Sequence, residues 1–294
     1  MEMGVVSLVV ADLQRSLSFY AGVLGCTVLA HSARSAVPGG EDPLLLLTER
    51  REAPRRPEYA TGLYHLALLL PGRGDLARAL RHLLACRYPL RGMEDHFISE
   101  AIYLADPDGN GIELYRDRPR SAWPWHDGKL EADEPSVPLR AESLLAELEG
   151  RAPAWHGLPS TTRIGHIHLQ VADQAPCRMF YQEFPGLEES ITGMRGACFF
   201  AADGYHHHIA CNVWTSLAGP PPPRDALGLH FFTLILPEHS QVINLVARLS
   251  AAGGRITHYA QSYLLRDPSE NRIVLRAEPF RQSQDAMALA DISD

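Results

Sequence analysis

Short apolar runs and amphipathic stretches alternate along the chain in a repeating order. Val5–Val10 (VVSLVV) is largely apolar and reads as a buried strand. Asp12 then stands as a helix cap before LQRSLSFYAGVLG, where Leu13, Leu17, Tyr20 and Leu24 share one helical face and Gly25 ends the run. Cys26–Ala30 and Leu44–Leu47 are further strand-like runs, followed by a charged, proline-bearing loop at Glu49–Tyr59. At Tyr64 the order starts again, with YHLALLL as a strand and Asp75–Cys86 as a helix. Ala101–Ala105 and Ile112–Tyr115 then form a hairpin about the turn Asp106–Gly111 (DPDGNG). In that turn Pro presets one dihedral, and Gly or Asn takes positive φ.

The pattern lapses over residues 119–162, a stretch rich in Trp, Pro and acidic residues with one predicted helix at Leu139–Leu148. This reads as a linker on the surface. At Ile164 the order resumes. GHIHLQVAD followed by QAPCRMFYQEFPGLEE repeats GVVSLVVAD followed by LQRSLSFYAGVLGCTV, and SYLLRDPSENRIVL repeats AIYLADPDGNGIEL. LHFFTLILPEHSQVINLVARLSAAGG likewise repeats YHLALLLPGRGDLARALRHLLACR. Asp12 aligns with Asp173, an offset of 161, and His65 with His230, an offset of 165, so a pair of units is duplicated. Repeats of this length often build solenoids, but a strand-rich unit better suits a curved sheet that pairs with another to close a pocket. The expectation is an α+β fold of four βαβββ modules forming curved mixed sheets in two paired-module domains. Two modules occupy residues 1–118, a linker 119–162 and two further modules 163–278. A tail follows at 279–294, polar and frayed over Arg281–Asp294.

Composition narrows the function. The net charge is −8, with both signs interspersed, so no basic face favours nucleic acid or an anionic membrane. Apolar runs such as Leu66–Leu70 are far too short to span a bilayer. The first residues, MEMGVVSLVVADLQRS, lack the basic region and cleavage site of a signal peptide. The five cysteines are scattered without a CxxC, as expected of buried thiols in a reducing compartment such as the cytoplasm.

Four such units, a His opening a strand, the closing motif DPDGNGIEL and the run VADLQRSLSFY resemble the vicinal oxygen chelate superfamily. That superfamily includes glyoxalase, bleomycin resistance proteins and extradiol dioxygenases. YHLALLLPGRGDLA, SEAIYLADPDGNGIELYRDRPR and GYHHHIACNVW look closest to the CatE-type catechol 2,3-dioxygenases. The resemblance implies a metal bound by a His on the first strand of one unit, with a His on the first strand and a Glu on the last strand of its partner. Carried onto this chain, these positions are His166 from the third unit and His65 and Glu113 from the second. The complementary positions are Val5, His230 and Val274, a set that cannot ligate. Two imidazoles and one carboxylate form the facial triad suited to Fe(II) and dioxygen, with Mn(II) as the alternative.

The second and third units must then face one another, either within one chain or across a homodimer. The single-chain form is favoured here. The resemblance also implies an acid–base His within Tyr205–His208. Strand alternation sets His206, His208, Asn212 and Trp214 on one face and the more apolar His207, Ile209, Cys211 and Val213 on the other. That selects His208, then His206. Tyr103 is implied as a hydrogen-bond donor to substrate, and His96 lies near a further family His. Trp214 and Phe231 are candidate pocket walls.

Taken singly, these residues have plainer readings. His65 fits a hydrogen-bonded core residue, Tyr103 a core aromatic and the His run a polar strand end. Their coincidence at family positions selects an Fe(II)-dependent extradiol dioxygenase of aromatic catabolism, acting on a catechol-type diol and dioxygen. The alternatives are a glyoxalase-like isomerase or lyase, which wants a second carboxylate, and a non-catalytic small-molecule binder of the bleomycin-resistance type.

Overall fold

A computed structural model describes residues 1–126, 129–130, 136–149, 155–280 and 282–292. The α+β expectation is met: four βαβββ units build two large mixed sheets. The first unit runs from the strand Glu2–Val10 through the helix Leu13–Leu17, which continues as a wider π-helical segment Ser18–Val23. Asp12 caps that helix by accepting from the Arg15 amide, and Gly25 follows it at φ +75°. The second unit repeats the order with Gly62–Leu69, the helix Arg73–Ala85 and the strands Leu90–Asp95, Ser99–Ala105 and Gly111–Asp117.

The sheets join units from opposite halves of the chain. In one, Gly62–Leu69 of the second unit pairs antiparallel with Arg163–Gln170 of the third. In the other, Glu2–Val10 of the first pairs antiparallel with Gly228–Ile235 of the fourth. The second and third units therefore meet within one chain. Each central strand alternates. Leu66, Leu68, Ile167 and Leu169 enter the main apolar core, while His65, Ala67, His166 and His168 face the other way. A buried Leu or Ile of this kind contributes about 1.5–3 kcal/mol.

Buried hydrogen bonds hold the units of each half together. The Tyr20 hydroxyl of the first helix donates to Asp106 in the second unit's turn at 3.0 Å. Tyr181 of the third unit donates to Asp267 of the fourth at 2.9 Å. The side chains of all four residues are buried.

Three expectations are corrected. The tail does not fray over its described residues: Phe280, Ala286, Leu289, Ala290 and Ile292 are buried against Val5, Phe231 and Val274, because that sheet face is apolar and needs a cover. Residues 281, 293 and 294 lie outside the described set. The linker is not confined to the surface. Trp123 and Leu130 bury apolar area beside Ile98 and Phe199, and the helix Ala141–Leu145 packs on Arg73–Ala85. The third concerns register. Each inter-half pairing has two register shifts, and at matching places one residue is skipped, Tyr64 between Leu63 and His65, and His230 between Leu229 and Phe231. Phe231, not His230, thus stands where His65 stands in the other sheet. Among the described residues no helix is long and apolar enough to cross a membrane.

Tyr20→Phe and Tyr181→Phe should each lower stability by about 1–3 kcal/mol, since each leaves a buried acid short of a donor. Their effects should add in urea unfolding. Unchanged midpoints in both variants would contradict the role given to these bonds.

Candidate metal centre and cavity

Three adjacent strands set the site. Glu113 lies beside Ala67 on the parallel neighbour, Ala67 lies opposite His166, and His65 lies opposite His168. This brings His65, Glu113 and His166 together, with one candidate ligand atom from each, all within 4.8 Å of one another. His65 Nε2 is 3.0 Å and His166 Nε2 3.1 Å from the same Glu113 oxygen, Oε2. All three residues are buried.

The donor set fits a cation. Buried polar atoms nearly always have partners, yet His65 Nε2 makes no hydrogen bond although the Glu113 carboxylate is 3.0 Å away. The nitrogen is near the carboxylate without the alignment of a hydrogen bond, as it would be when both address a common point. Burial pushes His166 down to about 4 despite the pull of Glu113, so its imidazole is neutral at pH 7. Burial would raise the Glu113 carboxyl, but the His166 and His65 rings beside it hold it well below the usual range. His168, the competing histidine on this face, has Nε2 engaged by the Asn212 amide at 3.0 Å.

A cavity of about 470 Å³ opens over the three residues. Trp214, Phe199, Ile191 and Met194 give it apolar wall, while Tyr103 and His96 line its polar side. His96 Nε2 and the Tyr103 hydroxyl are 2.8 Å apart. Burial, with Glu113 nearby, pushes the Tyr103 phenol well above its ordinary value, so it stays protonated. The linker reaches the rim, where Ser136 donates to Glu94 at 2.6 Å.

The structure does not bring every expected residue to this cavity. Phe231 lies in the core of the other sheet. His208 faces a separate cavity of about 530 Å³ beside Asp203 and Met1, and its Nδ1 accepts from the Ala202 amide at 3.3 Å. His207 takes the place assigned to it, with its ring centroid 4.1 Å from that of His166 and 5.1 Å from that of Phe199. His206 also lines the cavity. The strand begins only at Ile209, so period-two alternation has no hold on the three preceding residues. The signal available in sequence was the His run itself, but it could not rank its members.

Sequence reading also missed Tyr115. Its ring lies 4.9 Å from that of His166, and its hydroxyl occupies space that only Gly165 leaves free. A Cβ at 165 would sit 1.8 Å from that oxygen.

Comparison with known proteins agrees with this architecture. A family model described as the Glyoxalase/Bleomycin resistance protein/Dioxygenase superfamily matches residues 2–114. A catechol-2,3-dioxygenase of Bacillus subtilis (strain 168) is 41% identical over 272 residues, covering 90% of this chain and 93% of the relative. A solved structure of a candidate dioxygenase from Bacillus subtilis subsp. subtilis str. 168 has a TM-score of 0.70 at 13% identity, covering 100% of this chain and 91% of that one. Glyoxalase I from Zea mays has a TM-score of 0.58 at 13% identity, over 98% of this chain and 95% of its own. At such identities the two structures bear on fold alone.

His166→Ala should abolish stoichiometric binding of added Fe(II) or Mn(II), measured by metal analysis after gel filtration. His230→Ala should bind as the parent does. Equal loss in both variants would sink the ligand assignment.

Proposed function

The chain belongs to the glyoxalase/bleomycin resistance protein/dioxygenase superfamily, and from that premise we propose that it is a non-haem Fe(II) extradiol dioxygenase opening a catechol-type aromatic diol by 2,3-cleavage. One observation carries the proposal: two buried imidazoles and one carboxylate converge beneath a ring-lined cavity, in a chain 41% identical to a catechol-2,3-dioxygenase. His65, Glu113 and His166 would hold the iron, with Mn(II) as the alternative. When bound, the metal supplies Lewis acidity toward the diol oxygens and open positions for oxygen chemistry.

The remaining work falls to side chains. Trp214 and Phe199 wall the cavity and shield the ring from water. Tyr103, kept protonated, donates a hydrogen bond to a diol oxygen, and His96 fixes the rotation of that hydroxyl. His207, against His166 and open to the cavity, takes and returns a proton beside the reacting carbon. The ring carbon–carbon bond next to the diol breaks and both atoms of dioxygen enter the product, so the substrate itself is the electron source. A glyoxalase-like isomerase would add a second carboxylate, but the facing strand Ile209–Asn212 carries no acid. The proposed setting is the cytoplasm, which would keep the five thiols reduced.

The test is to load the protein with Fe(II) and catechol without air, then admit air and follow the yellow ring-opened product. A fully metallated protein that leaves the solution colourless would overturn the reading. His207→Ala should lower kcat by about a hundredfold at unchanged metal content, whereas His208→Ala should retain parental activity. The reverse order would return the acid–base role to His208.

A further inference from the structure

Two residues behind His207 bear on which of its nitrogens carries the proton. Asp117 ends the Gly111–Asp117 strand, four residues beyond Glu113. Each of its carboxylate oxygens has a partner. His206 Nε2 lies 3.1 Å from Oδ1, and the Tyr205 hydroxyl donates to Oδ2 at 2.9 Å. The Tyr205 oxygen is 2.7 Å from the Tyr115 hydroxyl. On the opposite edge of the His206 ring, Nδ1 lies 2.9 Å from His207 Nδ1. His206 is 1% exposed, which leaves water little access to either nitrogen.

The inventory of donors and acceptors constrains the protons. An ionised carboxylate offers only lone pairs, so His206 Nε2 must carry a hydrogen to bond Asp117. In the neutral ring His206 Nδ1 is then an acceptor. While both rings are neutral, the bond between the two Nδ1 atoms has His207 donating from its own Nδ1. His207 Nε2, the other nitrogen of a ring that lines the cavity, is left with a bare lone pair. The tyrosine branch runs the same way: with Tyr205 donating to Asp117, Tyr115 donates to Tyr205. Both branches point their donors at one carboxylate.

We propose that Asp117 and His206 are positioning residues that hold His207 in the Nδ1–H tautomer and so present Nε2 to the cavity as a proton acceptor. Reversing the chain of bonds would put an N–H at the same place, and residue 207 would donate instead of accept. The carboxylate at 117 therefore decides the direction in which His207 can first act. The catalytic meaning of this rests on the reading given under Proposed function, whereas the tautomer itself does not.

The experiment uses the full metal-free chain with 15N-labelled histidine. Long-range proton–nitrogen correlation spectra identify the protonated nitrogen of each ring, and a His207→Gln spectrum assigns its signals. The parent should show His207 protonated at Nδ1. Asp117→Ala should remove or reverse that preference, and Asp117→Asn, which keeps an acceptor oxygen for His206, should restore it. Mn(II) affinity should change by less than the about tenfold expected on losing a direct partner of a ligand. Protonation of His207 at Nε2 in the parent, or an unaltered pattern in Asp117→Ala, overturns the proposal. If Asp117→Ala fails to fold, the parent and Asp117→Asn spectra decide it. Because the readout needs neither metal nor substrate, its failure is distinguishable from failure of the ring-cleavage assay.

Discussion

The antiparallel seam between Gly62–Leu69 and Arg163–Gln170 is the constraint on which the molecule depends. Neighbouring strands lie about 5 Å apart, so pairing alone brings residues distant in sequence to ligand spacing. His166 sits opposite Ala67, and Ala67 sits beside Glu113 on the next, parallel strand. A slip of one residue in either strand would turn that strand's histidine into the helix-covered core and its two buried aliphatic residues into the cavity. Burial of Leu66, Leu68, Ile167 and Leu169 thus specifies the register that assembles the donors.

The same seam is built a second time, between Glu2–Val10 and Gly228–Ile235, and skips one residue at the matching place. Its cup holds Val5, Phe231 and Val274 where the first holds His166, His65 and Glu113. Burying polar donors without a partner costs free energy, whereas burying apolar side chains contributes it. One cup therefore accepts a destabilising constellation that a ligand can satisfy, and the other is packed by the chain's own last residues, including Ile292, whose carbonyl meets His230 Nε2 at 3.1 Å. The tyrosine–aspartate bonds run within each half while the sheets run between halves. A shift of one half against the other would disturb both cups at once.

Much of this was legible in the linear chain. The duplicated pattern around VVAD and QVAD, the turn DPDGNG and its partner DPSENR, and the alternation of apolar positions determined four units, their element order and the α+β class. Local chemistry suffices for these, because caps, turns and strand periodicity act over a few residues. The set His65, Glu113 and His166 came from the family resemblance of the motifs around them, and what the structure adds is that the three side chains lie together.

What the tertiary structure alone decided lies where regular geometry stops. The bulges at Tyr64 and His230 shift register by one residue, so Phe231 replaces His230 as the counterpart of His65. The histidines before Ile209 lie outside any strand, so which ring meets His166 follows from the path of a turn and from the bonds to Asp117. The tail and linker are polar on average yet place Ile292, Leu289, Trp123 and Leu130 in contact with apolar surfaces formed by residues far away in the chain. A sequence records local preference, but burial of such residues depends on surfaces that exist only once the sheets have paired.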